Sequence, residues 1–213
     1  MKPKIALFVH QPKCSIQSCN GIIDALSDHY NFKIFTKHEI EDDFFSDVDA
    51  VCFPGGIGDS DSFNSLFKHN ITRVRDYVQG GGRYLGICMG AYWADSCYFS
   101  VVGDLDVVQY IKRPTAETRR PHAKAMPILW KGNPHKMFFY DGCTFVGDGK
   151  YDTIATYPNG DPMAIIQDRI GLIGCHPESG KFWYDSYSWM GKHWHGNSQH
   201  QLLLDFVDDL MQR

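Results

Sequence analysis

Strand and helix alternate through the first half of the chain, and that alternation constrains the fold more than any other feature. Lys4–Val9 is a short apolar run of the kind that forms a buried parallel strand. His10-Gln11-Pro12 breaks it, and Ser15 is placed to cap a helix whose apolar side is Ile16, Cys19, Ile22, Ile23 and Leu26. Phe32–Thr36 and Val48–Phe53 read as the next two strands. Residues 62–79 read as one helix with Leu66, Phe67, Ile71, Val74 and Val78 inward, stopped by Gly80-Gly81-Gly82. Arg83–Ile87 is a fourth strand, followed by a helix over Met89–Cys97. Such a sequence predicts an α/β fold: a doubly wound, mostly parallel, flavodoxin-like sheet with right-handed crossovers.

The second half changes character. Val101–Tyr110, Ala125–Trp130, Met137–Phe139, Thr144–Val146, Thr153–Tyr157 and Met163–Gln167 read as short strands, an added antiparallel, β-rich portion. Asp168-Arg169 is placed to turn a hairpin into Ile170–Cys175. The polar, basic stretch 112–124 reads as a loop, and Ser198–Met211 as a closing helix with Leu202, Leu203, Phe206, Val207 and Leu210 on one side. No repeat or linker interrupts the 213 residues, so residues 1–213 are expected to form a single domain.

The chemistry concentrates at Gly86-Ile87-Cys88-Met89-Gly90. A cysteine between two glycines, after an apolar strand and before a helix, is the sulfur form of a nucleophile elbow. The glycines let strand and helix approach closely, and a thiol at a helix N-terminus is favoured as thiolate. Ninety residues later stands His176-Pro177-Glu178. Residues two apart in extended chain point to the same side, so His176 is placed as base and Glu178 as its orienting group. A buried cysteine is otherwise an inert small hydrophobe, which is the reading for Cys14, Cys19, Cys52, Cys97, Cys143 and Cys175.

Ligands of open α/β sheets bind at the carboxyl ends of the parallel strands. Four segments should meet there: His10–Lys13, Pro54–Asp59, the Cys88 elbow and His176–Ser179. Gly55 and Gly56 either point backbone N–H groups into the site, forming an oxyanion hole with the Met89 N–H, or simply make a tight turn. Lys181–Asn197 carries Phe182, Trp183, Tyr184, Tyr187, Trp189, Trp194, His193 and His195. It directly follows Glu178, so it could wall the pocket, present a partner surface or pack across the sheet edge. The His-x-His pair has no third ligand in view, and no CxxC pair is present, so neither metal nor any other cofactor is expected.

A net charge of −4 without a long basic run gives no reason to expect nucleic acid, and no apolar run is long enough for a signal or a membrane span. An odd cysteine count of seven fits free thiols in the cytoplasm.

With these residues in view, the chain resembles the class I glutamine amidotransferase superfamily, which carries a Gly-x-Cys-x-Gly elbow and a His-Pro-Glu segment near its end. It is most similar to the amidotransferase-like domain at the N-terminus of yeast-type biotin–protein ligases. The likeness covers most of the chain: Pro54-Gly55-Gly56, Gly81 through Tyr92, Tyr140-Asp141-Gly142, Ile154-Ala155-Thr156-Tyr157, Ala164-Ile165-Ile166 and Gly174 through Glu178. Its most specific part is the run Tyr84-Leu85-Gly86-Ile87-Cys88-Met89-Gly90-Ala91-Tyr92. The resemblance implies that Cys88 forms an acyl thioester, His176 is base and then acid, Glu178 orients it, and Gly56 and Met89 supply the oxyanion N–H groups. Gly55, Tyr92 and His10 then belong to the substrate pocket. Glutamine-using members carry glutamine or another polar residue where Tyr92 stands, which points away from free glutamine. The substrate implied is a small amide or carboxylate, and any acceptor of ammonia would sit on a separate synthetase or ligase. No ligase catalytic domain is expected within this length. The rival readings are a catalytically idle binding or regulatory module, and a peptidase-like relative, which would place histidine where Met89 stands.

Overall fold

The computed structural model describes residues 2–41 and 43–213. The first half builds a parallel block. Strand β1 (Lys4–Phe8) pairs on one side with β2 (Asn31–Phe35) and on the other with β3 (Ala50–Phe53). Strand β4 (Arg83–Ile87) continues the block in parallel with β3. A single nine-stranded sheet results, because the second half adds β6 (Lys124–Trp130), β7 (Asn133–Phe139), β9 (Asp152–Thr156), β10 (Pro162–Gln167) and β11 (Ile170–Ile173), and its order is β2-β1-β3-β4-β11-β10-β9-β6-β7. The strand β11 is parallel to β4 and antiparallel to β10, so it joins the parallel block to the antiparallel extension. A separate antiparallel pair is formed by β5 (Asp106–Gln109) and β8 (Cys143–Val146). The expected architecture is thus present.

Alternation along the strands explains why both faces are covered. Ile5, Leu7, Leu85 and Ile87 face one buried cluster, whereas Ala6, Phe8, Val51, Phe53 and Tyr84 face another. The first cluster is roofed by α1 (Ile16–Leu26) and α6 (Ser198–Met211) through Ile22, Leu26, Leu203, Phe206, Val207 and Leu210. Each such Ile or Leu contributes roughly 1.5–3 kcal/mol on burial. Ser15 caps α1 as its sequence implies, its Oγ accepting from the Ser18 N–H at 3.3 Å. The second cluster is an aromatic stack in which Phe8, Phe53, Phe67, Trp93 and Phe99 meet at ring separations of 4.8 to 6.4 Å.

Three expected elements differ. Residues 62–79 form two helices, α2 (Ser60–Phe67) and α3 (Ile71–Gln79). Asn70 leaves helical geometry at the break, and its side-chain amide donates to the Lys37 carbonyl at 3.3 Å. The helix after the elbow, α4 (Met89–Tyr92), is shorter than expected. Asp95 stops it by accepting from the N–H groups of Cys97 (3.0 Å) and Val107 (2.8 Å), drawing the chain out of the helix. The strand expected over Val101–Tyr110 shrinks to β5, because Ser100 and Asp104 adopt positive φ and the chain bends between them. Among the described residues no helix is long and apolar enough to cross a membrane.

Candidate active site

The chain reverses its direction of winding between β1 and β3, and the site lies where that switch point meets β4 and β11. Cys88 follows β4 directly. Its backbone has φ 50° and ψ −102°, outside the ordinary β and α regions. The two flanking glycines are required by contact. A Cβ on Gly90 would lie 2.0 Å from the Phe53 carbonyl oxygen, and one on Gly86 would lie 2.5 Å from the Gly90 carbonyl oxygen. Strand and helix are therefore pressed together at the elbow, and the strain falls on Cys88.

That strain has a measurable sign. Cys88→Gly is expected to be about 1–2 kcal/mol more stable than Cys88→Ala, because glycine accepts this φ without cost. At ordinary positions glycine is the less stable of the two by roughly 0.5–1 kcal/mol. Chemical denaturation of the two variants checks it, and a less stable glycine variant would count against a strained elbow.

His176 lies three residues beyond β11. Its N–H donates to the Phe138 carbonyl at the end of β7 (3.0 Å), and Trp183 packs on its ring with centroids 4.9 Å apart. Nδ1 is 2.8 Å from Glu178 Oε1, which leaves Nε2 to face the Cys88 thiol, close enough to act on the ring charge together with Glu178. His176 is 4% exposed, Glu178 0% and Cys88 8%. Burial disfavours the imidazolium, but the Glu178 carboxylate and Cys88 outweigh it and push the His176 pKa up to about 10. Burial is the main cause at Cys14 and Cys19, whose thiols are pushed up to about 12. The expectation of six buried cysteines fails at Cys97, which is exposed in the turns after α4.

Ser18 completes the arrangement, and sequence reasoning missed it. It sits fully buried on α1, donating from Oγ to Glu178 Oε1 at 2.7 Å and accepting from the Gly55 N–H at 3.0 Å. Glu178 Oε2 is buried without a partner among the described residues, so one oxygen takes both bonds. The signal for Ser18 was a small polar residue on the buried face of α1, one turn before Ile22. With the Gly55 N–H taken, the N–H groups of Gly56 and Met89 are the ones left without a partner among the described residues.

These groups open into a cavity of about 750 Å³, within the range of small-molecule sites. Gly55, Gly56, Cys88, Met89, Tyr92 and His176 all line it. Tyr92 donates from its hydroxyl to the Asp141 carbonyl at 3.1 Å, and burial raises its pKa. His10 is the exception. It does not line the cavity: its ring stacks on Phe8 and sits 5.9 Å from that of His38. The chain reaches the site a few residues later, through Ser15 and Gln17. The aromatic segment does wall the site: Phe182, Trp183 and Tyr187 line the cavity, the first two from α5 (Lys181–Asp185). Tyr184 and Met190 bury beneath them with Phe138. Gln109, Tyr140 and Asp141 also line the cavity. His193 and His195 meet no third metal-ligating side chain among the described residues.

Comparison with known proteins bears on the fold. The family model described as biotin-protein ligase, N terminal, matches residues 11–113. A glutamine amidotransferase from Thermotoga maritima superposes with a TM-score of 0.69 at 12% identity, over 100% of both chains. A second glutamine amidotransferase gives 0.67 at 16% identity, over 98% of this chain and 99% of its own. PurLQS from Thermotoga maritima gives 0.65 at 11% identity, over 99% and 100%. No curated protein matches the sequence. The chain has a class I glutamine amidotransferase-like fold, and its residues 11–113 are similar to the biotin–protein ligase N-terminal domain.

Proposed function

We propose that this class I glutamine amidotransferase-like chain is a cysteine amidase, hydrolysing a small amide through a thioester on Cys88. The observation that carries the reading is a cysteine at a strained elbow, in contact with a buried imidazole that a carboxylate holds from its far side. In the proposed reaction the Cys88 thiol passes its proton to His176 Nε2 as the sulfur attacks the amide carbon, forming an S–C bond and a tetrahedral oxyanion. The free N–H groups of Gly56 and Met89 receive that charge. The His176 imidazolium gives its Nε2 proton to the leaving nitrogen, the C–N bond breaks, and ammonia departs from the thioester. Water then attacks the thioester while His176 takes its proton, the S–C bond breaks, and the acid leaves. The balance is amide plus water giving acid plus ammonia, and no other co-reactant is needed. An acceptor of that ammonia would belong to a separate synthetase. The nine-stranded sheet runs through both halves of the chain and supports treating residues 1–213 as one catalytic unit.

A panel of small amides with hydroxylamine as the competing acceptor tests this. Hydroxamate formation, and acyl mass on Cys88, are expected from at least one donor. Free glutamine is expected to turn over poorly, because the Tyr92 phenol offers no paired donor and acceptor to a carboxamide, and Tyr92→Gln should raise its turnover. Robust glutaminase activity in the unmodified protein would make it a true amidotransferase. Failure of every donor would favour a binding module that keeps the elbow but does not turn over.

A further inference from the structure

The cavity around Cys88 has a chemical bias that the catalytic residues do not require. Two carboxylates line it, Asp59 and Asp141, and among the described residues no lysine or arginine does. Lys13 and Lys112 act electrostatically on Asp59 and Asp141 respectively, but neither lines the cavity. Asp59 is already used as the cap of α2, its Oδ1 accepting from the Ser62 N–H at 2.7 Å. Asp141 is not fully used. Its Oδ2 accepts from the Gln109 side-chain amide at 2.9 Å, while its Oδ1 is enclosed with no hydrogen-bond partner among the described residues. A buried carboxylate oxygen left bare is costly, and a bound cation would supply what it lacks.

The rest of the wall is aromatic. Tyr140, Phe182, Trp183 and Tyr187 line the same cavity, with Tyr140 49% and Phe182 66% exposed. Aromatic faces attract ammonium and guanidinium groups and offer nothing comparable to an anion. A carboxylate-bearing ligand, free glutamine included, would bring its negative charge beside Asp59 and Asp141 with no lining lysine or arginine to meet it, the charge on His176 being already engaged by Glu178.

We propose that the amide substrate is itself a cation, carrying an ammonium or guanidinium group that sits against Asp141 and the aromatic wall while its carboxamide reaches Cys88. Gln109 is a positioning residue, its side-chain amide on Oδ2 fixing the Asp141 carboxylate in the cavity wall. The inference rests on the cysteine-amidase reading for the reaction but not for the binding preference, and the two fail separately.

The test uses three chloroacetamides matched in length, with an ammonium, a methyl or a carboxylate tail. Each alkylates a thiolate by forming an S–C bond and expelling chloride. Rates at Cys88 are followed by mass and divided by those with N-acetylcysteine, which removes intrinsic reactivity. The cationic reagent is expected to lead the anionic one by about tenfold, the size of one charge-assisted contact. Asp141→Asn should collapse the ratio, and Phe182→Ala, on the exposed wall, should reduce it if the first variant does not fold. A parallel arm measures binding of 5-aminopentanamide, pentanamide and glutaramate to Cys88→Ala by calorimetry. Cation preference there supports the proposal even if Cys88 proves unreactive, an outcome that would instead remove the amidase reading. Equal rates and affinities for all three charges, a lead for the anion, or no binding of any would overturn it.

Discussion

Replacing His176 by asparagine is expected to lower kcat/KM for amide donors by about 10²–10⁴-fold, and for a p-nitrophenyl ester by much less. The asymmetry follows from the leaving group. An amine cannot depart from the tetrahedral intermediate without a proton, whereas p-nitrophenolate leaves unaided. The proton source in the proposed reaction is Nε2 of His176, whose Nδ1 is engaged by Glu178 at 2.8 Å. No solvent path easily replaces it, since His176 is 4% exposed and covered by Trp183. Steady-state rates with a matched amide and ester check this. Equal losses for both donors would assign His176 only to activating the sulfur, and an unchanged amide rate would remove it from the reaction.

What the sequence disclosed about this site, and what it hid, divides along physical lines. Strand β4, the glycine-flanked cysteine and the capped helix α1 were legible because each rests on local rules: apolar runs, turn sterics and an Ncap hydroxyl. The meeting of His176 with the elbow followed from the strand-end rule for open α/β sheets, but the pairing of β11 with β4 did not, since a parallel pairing across more than eighty residues leaves no local trace. The end of α4 was hidden because Asp95 acts on Val107, twelve residues away in sequence. Ser18 was hidden for a related reason. Its role depends on Glu178, 160 residues away, and on the Gly55 loop, which only the finished sheet brings together. His10 was misplaced because the end of β1 was taken to deliver it to the site, whereas its ring turns to the aromatic face with Phe8 and His38.

Glu178→Gln is expected to destabilise the protein by about 3–5 kcal/mol near pH 6, the usual result of removing one partner from a buried ion pair, and to flatten its stability toward alkaline pH. Glu178 has no exposed surface, and its Oε1 takes bonds from both His176 and Ser18. The His176 pKa is raised from its ordinary value of 6.5 to about 10 in the folded protein. A group raised on folding contributes stability that is fully present below its unfolded pKa and lost as pH climbs through the folded one. The unmodified protein should therefore lose stability between about pH 6.5 and pH 10. The thiols of Cys14 and Cys19, raised from 9.0 to about 12, add a loss that begins only near pH 9, so the fall between about pH 6.5 and pH 9 is the part that reports His176. In Glu178→Gln most of the contribution is already gone at pH 6, so the two denaturation curves should converge as pH rises. Ser18→Ala provides the contrast. It removes the 2.7 Å bond to Oε1 but keeps the carboxylate, so it should cost about 1–3 kcal/mol and leave the pH dependence standing. A Glu178→Gln curve parallel to that of the unmodified protein at every pH would show that Glu178 fills space beside His176 without fixing its charge.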